Sequence, residues 1–187
     1  MISVTELRAG RTFEDEGEPF LVLKYEHVKL GRGTANIKVK VRNLRTGAII
    51  EKTFISGARV QEISTIKRKL RYLYQEGRNF YFIDPKTFEQ FEIPEESISD
   101  QVAYLSEEVE VEILFWNGKP LSLELPPKME FTVVETGPGV RGDSATNIYK
   151  SATLNNGLKI KVPLFINEGD KILVDTRSGE YVERVRS

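Results

Sequence analysis

Apolar and charged side chains alternate with a two-residue period along much of this chain, and no other feature limits its fold as tightly. Ile37, Val39 and Val41 alternate with Lys38, Lys40 and Arg42. Val109, Val111 and Ile113 alternate with Glu108, Glu110 and Glu112, and Leu158, Ile160 and Val162 with Lys159 and Lys161. Residues i and i+2 share a face only in an extended chain, so each run reads as a strand with one dry side and one wet side. Thr46-Gly47, Glu76-Gly77, Asp84-Pro85, Asn117-Gly118, Asn156-Gly157 and Ser178-Gly179 punctuate the runs as turns. The one stretch predicted to be helical is 95–105, just after Pro94. Many short strands with frequent turns argue for an all-β protein of small barrels rather than a βαβ sheet.

The 187 residues divide into three units of similar size, 1–63, 64–127 and 128–187. Residues 57–68 lead into the basic strand start Lys67-Arg68-Lys69, and Pro126-Pro127 ends the second unit, since proline cannot continue a central strand. Units this small are marginal alone, so at least two should pack firmly together. The absence of cysteine rules out disulfides and thiolate chemistry, and a single histidine, His27, removes most metal-site and triad architectures. No apolar run reaches the roughly 20 residues of a membrane span, and the N-terminus lacks a signal-peptide core. A soluble, cytoplasmic protein without a metal is the expectation.

Charge is unevenly spread. Residues 1–63 carry 11 Lys/Arg against 8 Asp/Glu, 64–127 carry 7 against 12, and 128–187 carry 9 against 8. Within the first unit, 24–45 hold seven basic residues and the single acid Glu26. Such a local positive field can hold an anionic partner although the net charge of the chain is −1.

Residues 19–28 and 34–45 read as two long strands joined by Lys29-Leu30-Gly31-Arg32-Gly33-Thr34. Glycines on both sides of one arginine allow a tight turn that points a single long cation outward. Strands of about nine residues would carry that tip roughly 30 Å from its base. Lys29, Lys38, Lys40, Arg42 and Arg45 suit a phosphate backbone, with Arg32 as the probing group. The competing reading is a solvated hairpin whose lysines discourage edge pairing.

The sequence resembles the bacterial translation elongation factor P family over essentially its whole length. The resemblance is strongest in Gly139-Val140-Arg141-Gly142-Asp143-Ser144-Ala145, in Ala152-Thr153-Leu154, and from Val162-Pro163-Leu164-Phe165-Ile166 through Val174-Asp175-Thr176-Arg177 to Val182. Leu73-Tyr74-Gln75-Glu76-Gly77 and the tip loop agree with it. It implies three β-barrels in an L shape, a KOW-like (SH3-like) N-terminal domain followed by two OB-folds. It further implies a monomer that binds both ribosomal subunits beside the P-site peptidyl-tRNA and relieves stalling at consecutive prolines without acting as an enzyme. The tip, Gly31-Arg32-Gly33, would then reach toward the peptidyl-transferase centre. Family members with arginine at the tip are rhamnosylated there by a dedicated glycosyltransferase. Leu30 stands where proline is common, so Arg32 is either modified in this way or acts through its bare guanidinium. No other cofactor is implied.

The same resemblance assigns Gly142-Asp143-Ser144 to the messenger RNA in the exit site, with serine in place of the usual threonine. It places Tyr181 and Arg184 near the small subunit, although Tyr181 is equally suited to a barrel core. Arg141-Gly142-Asp143 also spells an integrin-binding tripeptide, but the chain has no secretory feature. Glu108, Glu110 and Glu112 read as a solvated sheet face, and Leu70, Tyr72 and Tyr74 as barrel interior rather than a base-stacking row. An elongation-factor-P-like paralogue, or a general RNA-binding β-barrel protein, is the alternative to the leading assignment.

Overall fold

The computed structural model describes residues 1–29, 31–107, 109–139 and 148–186. Among these described residues, sixteen strands run in chain order. They are β1 (Ile2–Ser3), β2 (Thr12–Asp15), β3 (Glu18–Val28), β4 (Asn36–Asn43), β5 (Ile49–Ile55), β6 (Arg59–Glu62), β7 (Ile66–Glu76), β8 (Asn79–Ile83), β9 (Gln90–Pro94), β10 (Glu110–Trp116), β11 (Lys119–Glu124), β12 (Lys128–Thr136), β13 (Tyr149–Leu154), β14 (Lys159–Pro163), β15 (Lys171–Asp175) and β16 (Tyr181–Arg184). They form three sheets, ordered β1-β6-β2-β3-β4-β5, β11-β10-β7-β8-β9 and β14-β13-β12-β15-β16. All described strand pairs are antiparallel. The second and third sheets repeat one topology, in which the first strand pairs with the second and the fourth. Contacts of β9 with β11 and of β14 with β16 bring the sheet edges together as in a small barrel.

Each sheet has its own core, centred on Phe13, Ile37 and Val39 in the first, Leu70, Phe82 and Ile113 in the second, and Leu154, Val162 and Ile172 in the third. Each of these large side chains contributes about 1.5–3 kcal/mol by leaving water. The predicted alternation is visible in burial: Ile37, Val39 and Val41 are inside while Lys40 and Arg42 are exposed. The turn dipeptides place Gly47, Gly77, Gly118, Gly157 and Gly179 at positive φ. At Asn117-Gly118 both residues are left-handed, the geometry of the tight hairpin joining β10 to β11.

Two expectations need correction. The 95–105 helix is a single turn, α1 (Glu95–Ile98), followed by a separate 3-10 turn at Val102–Tyr104. The break lets Ile98 enter the second core while Tyr104 enters the third. In β7 the reading of Leu70, Tyr72 and Tyr74 as interior holds only in part. The register shifts between Tyr72 and Tyr74, so Tyr74 lies opposite Tyr81 on the outer face, with its ring stacked 4.7 Å away. A bulge adds one residue to one strand and thereby exchanges the faces beyond it. Glu110 and Glu112 lie opposite Arg71 and Lys69, a charged outer face as expected, while Glu108 is outside the described residues.

The second and third sheets are joined through Tyr104, which is 7% exposed and packs 5.8 Å from the Phe131 ring. Asn156 Nδ2 donates to the Ala103 carbonyl at 3.0 Å, and Thr176 Oγ1 donates to the Pro126 carbonyl at 2.7 Å. Leu125 touches both cores. These contacts meet the expectation that small barrels pack together.

Arg68 organises the second core. Its Nη2 donates to Asp84 at 2.6 Å and to Glu89 at 3.0 Å, while the guanidinium lies over Phe91 and Phe115. Asp84 also accepts the Lys86 and Thr87 amides. The Arg68 hydrogen bond, followed by that of the Lys86 amide, holds the Asp84 carboxyl below the ordinary carboxylate range. Because the folded value is depressed, the stabilisation is complete above the unfolded value near ~4 and is lost as pH falls through the folded one. Asp84→Asn should therefore melt lower than the parent at neutral pH, with the two curves converging as pH falls through the depressed Asp84 value. Thermal unfolding followed across pH checks this, and parallel curves would contradict it.

Candidate nucleic-acid interface

Formation of the β3–β4 hairpin follows directly from its residues. Phe20 and Val22 point inward, Leu23 is the extra residue of a bulge, and beyond it Tyr25 faces the core opposite Val39. The bulge thus turns Lys24 and Glu26 to the outer face, opposite Lys40 and Lys38. Pairing runs from Phe20↔Asn43 to Val28↔Asn36, a length of about 25–30 Å at the usual rise per residue. At the lower end Asn43 Oδ1 accepts the amides of Arg45 and Thr46, which stops β4 earlier than the predicted residue 45.

Lys29, Gly31, Arg32 and Gly33 lie past the last strand pair and are exposed, and Gly31 has φ +64°. Leu30 is outside the described residues. Among the described residues no ion pair or side-chain hydrogen bond engages Arg32. The turn between β4 and β5, by contrast, lines a crevice of about 570 Å³ together with Lys67, Gln101 and Glu124 of the second unit. Arg42 lines this crevice, so the hairpin's basic residues run from the junction with the second unit to the distal tip.

The local charge is smaller than the run of basic residues suggests. Glu51, brought alongside by β5, pairs with Lys38 at 3.1 Å, Glu26 pairs with Lys24, and Glu18 lies 3.5 Å from Arg45. Lys29, Arg32, Lys40 and Arg42 keep their charge without an ion-pair partner among the described residues. The cations best placed for an anionic partner therefore lie along the outer face and at the tip.

In the third unit, Gly142, Asp143 and Ser144 fall outside the described residues. Tyr181 is half-buried against the third core, and burial pushes its phenol up, so its barrel-core reading has structural support. Arg184 is exposed, 3.9 Å from Asp170, with its guanidinium 5.5 Å from the centre of the Phe165 ring. Tyr181, Arg184 and Phe165 line one groove. Sequence reasoning missed Phe165, 57% exposed, and Tyr149, 53% exposed, which stand on a second groove with Ile148, Pro163, Leu164 and Gly139. A visible signal was the placement of Tyr149 out of phase with the buried Ala152 and Leu154. At Gly139 a Cβ would run into the Leu164 backbone carbonyl. Gly139→Ala should destabilise the third unit by about 1–3 kcal/mol and splay this groove. Urea unfolding checks the loss, and an unchanged midpoint would contradict the close approach.

Three family profiles match in order: the elongation factor P KOW-like domain over residues 3–60, the elongation factor P OB domain over 65–123, and the elongation factor P C-terminal domain over 129–184. Elongation factor P of Moorella thermoacetica is 44% identical over 184 residues, covering 98% of this chain and 100% of that protein. This chain belongs to the elongation factor P family. Elongation factor P of Dictyoglomus turgidum is 47% identical over the same share of both chains. Two solved structures share the fold. Eukaryotic translation initiation factor 5A from Methanococcus jannaschii is 22% identical with TM-score 0.50, covering 64% of this chain and 88% of that one. A translation initiation factor eif-5a family protein from Naegleria fowleri is 13% identical with TM-score 0.51, covering 66% and 96%. Membership makes the chain a translation factor with a KOW-like domain and OB domains, and implies that it works with the ribosome. No helix among the described residues is long and apolar enough to cross a membrane.

Proposed function

We propose that this translation factor binds the ribosome beside the P-site peptidyl-tRNA and speeds peptide-bond formation at consecutive prolines. The observation that supports this reading is the hairpin tip, where Arg32 extends past the last strand pair with no ion pair or side-chain hydrogen bond among the described residues. A cation with no ion pair or side-chain hydrogen bond among the described residues, at the end of an arm of three paired strands, suits a distant anionic target. Lys40 and Arg42 along the arm, and Lys29 beside the tip, suit contacts with a phosphate backbone. Proline is a conformationally restricted nucleophile, so what can be improved at a stalled site is the positioning of the reactants. Ordering the donor tRNA end lowers the barrier entropically and requires no acid or base from the factor.

Within this reading Gly31-Arg32-Gly33 contacts the acceptor end of the peptidyl-tRNA, and Arg32 is the residue a rhamnosyl-transferring enzyme would modify. Gly142, Asp143 and Ser144 contact the messenger RNA, and Arg184 contacts the small subunit. The factor acts as a cytoplasmic monomer and performs no bond-making chemistry of its own. Reconstituted translation of a triple-proline reporter, with the protein present or omitted, tests the proposal. Release of the stall by protein from its native host is the expected result. A stall unaffected by that protein would overturn it in favour of a paralogue with other targets or a general RNA-binding role.

A further inference from the structure

We infer that Asn156-Gly157 is a latent site of spontaneous deamidation, held off by the joint between the second and third units, and that its conversion weakens this joint irreversibly. An asparagine followed by glycine is prone to the reaction, because no Cβ crowds the glycine nitrogen that must attack the side-chain amide. The chain has two such pairs, Asn117-Gly118 and Asn156-Gly157. Asn117 is exposed at the tip of the hairpin joining β10 to β11. At Asn156 the reacting groups are each held. Nδ2 donates to the Ala103 carbonyl of the second unit at 3.0 Å, and Oδ1 accepts the Leu158 amide at 3.3 Å. The Gly157 amide donates to the Leu154 carbonyl at 2.9 Å. Asn156 and Ala103 line a crevice of about 350 Å³ between the two barrels, beside Tyr104 and Phe131.

In the reaction the Gly157 nitrogen gives up its proton and bonds to Asn156 Cγ, the Cγ–Nδ2 bond breaks, and Nδ2 leaves with a proton as ammonia. Water then adds to either carbonyl of the cyclic imide and yields aspartate or isoaspartate, with no change of oxidation state. The bond to Ala103 fixes the leaving group, and the bond to Leu154 occupies the proton that must be lost. The reaction therefore waits until the barrels part and the turn between β13 and β14 loosens, so its rate follows the population of that local opening. The product cannot remake the joint. Its carboxylate donates nothing at neutral pH and sets an acceptor against the Ala103 carbonyl, which loses its side-chain donor. Isoaspartate also routes the backbone through Cβ, lengthening a turn in which the Leu154 amide donates to the Leu158 carbonyl at 2.8 Å. A transient separation of the barrels is thereby made permanent in a fraction of molecules. The inference is independent of the proposed function, since it involves neither the basic hairpin nor RNA.

Mass-spectrometric peptide mapping of the full chain, incubated at mildly alkaline pH in buffer and in urea, tests the inference, with conversion at Asn117 and Asn156 followed separately. Asn156 should convert at least about tenfold more slowly in the folded chain than in urea. This comparison needs no variant. Thr176→Val removes another hydrogen bond of the joint, from Thr176 Oγ1 to the Pro126 carbonyl, at a residue that belongs to neither core. It should speed conversion of Asn156 by roughly threefold to tenfold and leave the rate at Asn117 unchanged. Asn156→Asp, the lasting counterpart of one product, should lower the melting temperature of the joined units by roughly 3–6 °C. Equal rates at Asn156 in buffer and in urea, a rate unmoved by Thr176→Val, or an Asn156→Asp chain as stable as the parent would each overturn the inference. Acceleration at Asn117 together with Asn156 would place the cause in unfolding of the second unit and overturn it as well.

Discussion

Tyr104→Ala should cost the second and third units about 3–5 kcal/mol and divide their unfolding into two steps. Tyr104 leaves the chain of the second unit at a 3-10 turn and places its ring in the core of the third, against Phe131. Truncation removes the transfer energy of a large side chain and leaves a cavity that two separate sheets cannot easily collapse around. Besides the partly buried Leu125, which touches both cores, the described links Asn156 to Ala103 and Thr176 to Pro126 are single part-buried hydrogen bonds, each worth about 1 kcal/mol net. Calorimetry should show the second and third units melting together in the parent and separately in the variant. Tyr104→Phe keeps the ring and should behave like the parent. A single, barely shifted transition for the alanine variant would mean that the two barrels are coupled by something other than this ring.

Local chemistry made much of the fold legible. Alternation at 37–42 and 158–162 and the turn dipeptides act over a few residues, and the structure places strands and left-handed glycines there. What escaped depends on residues far apart in the chain. A bulge changes which face a side chain occupies, and nothing in Leu70-Arg71-Tyr72-Leu73-Tyr74 announces the one that turns Tyr74 outward. Glu51 reduces the charge at Lys38 only because β5 folds back on β4, so a count along 24–45 overstates the field. Tyr104 serves a core other than that of its own unit, which a local pattern cannot reveal. Phe165 follows Pro163, where alternation ends, and the rule that places apolar residues inside no longer applies there. The hairpin tip was legible because glycines on both sides of an arginine carry their meaning locally, whatever the rest of the chain does.

If the factor acts at proline runs as proposed, Arg32→Ala should abolish most of that effect while leaving the fold untouched. The side chain is exposed beyond the last strand pair and contributes to none of the three cores. A loop-tip truncation of this kind should leave the melting temperature within measurement error. On the proposed function its loss should appear in the rate of the chemical step rather than in binding, because the remaining basic residues of the arm and the other two units would still hold the factor in place. Removal of an interaction made only at the reacting centre lowers the rate at saturation and leaves affinity nearly unchanged.

The most direct measurement is the rate of proline–proline bond formation on stalled ribosomes saturated with native-host protein or with Arg32→Ala, with affinity for the same ribosomes determined separately. A fall in rate of roughly tenfold or more, with affinity altered by less than about threefold, is the predicted result. Equal rates for the two proteins at saturation would contradict the central claim that this hairpin exists to carry one cation to a distant site.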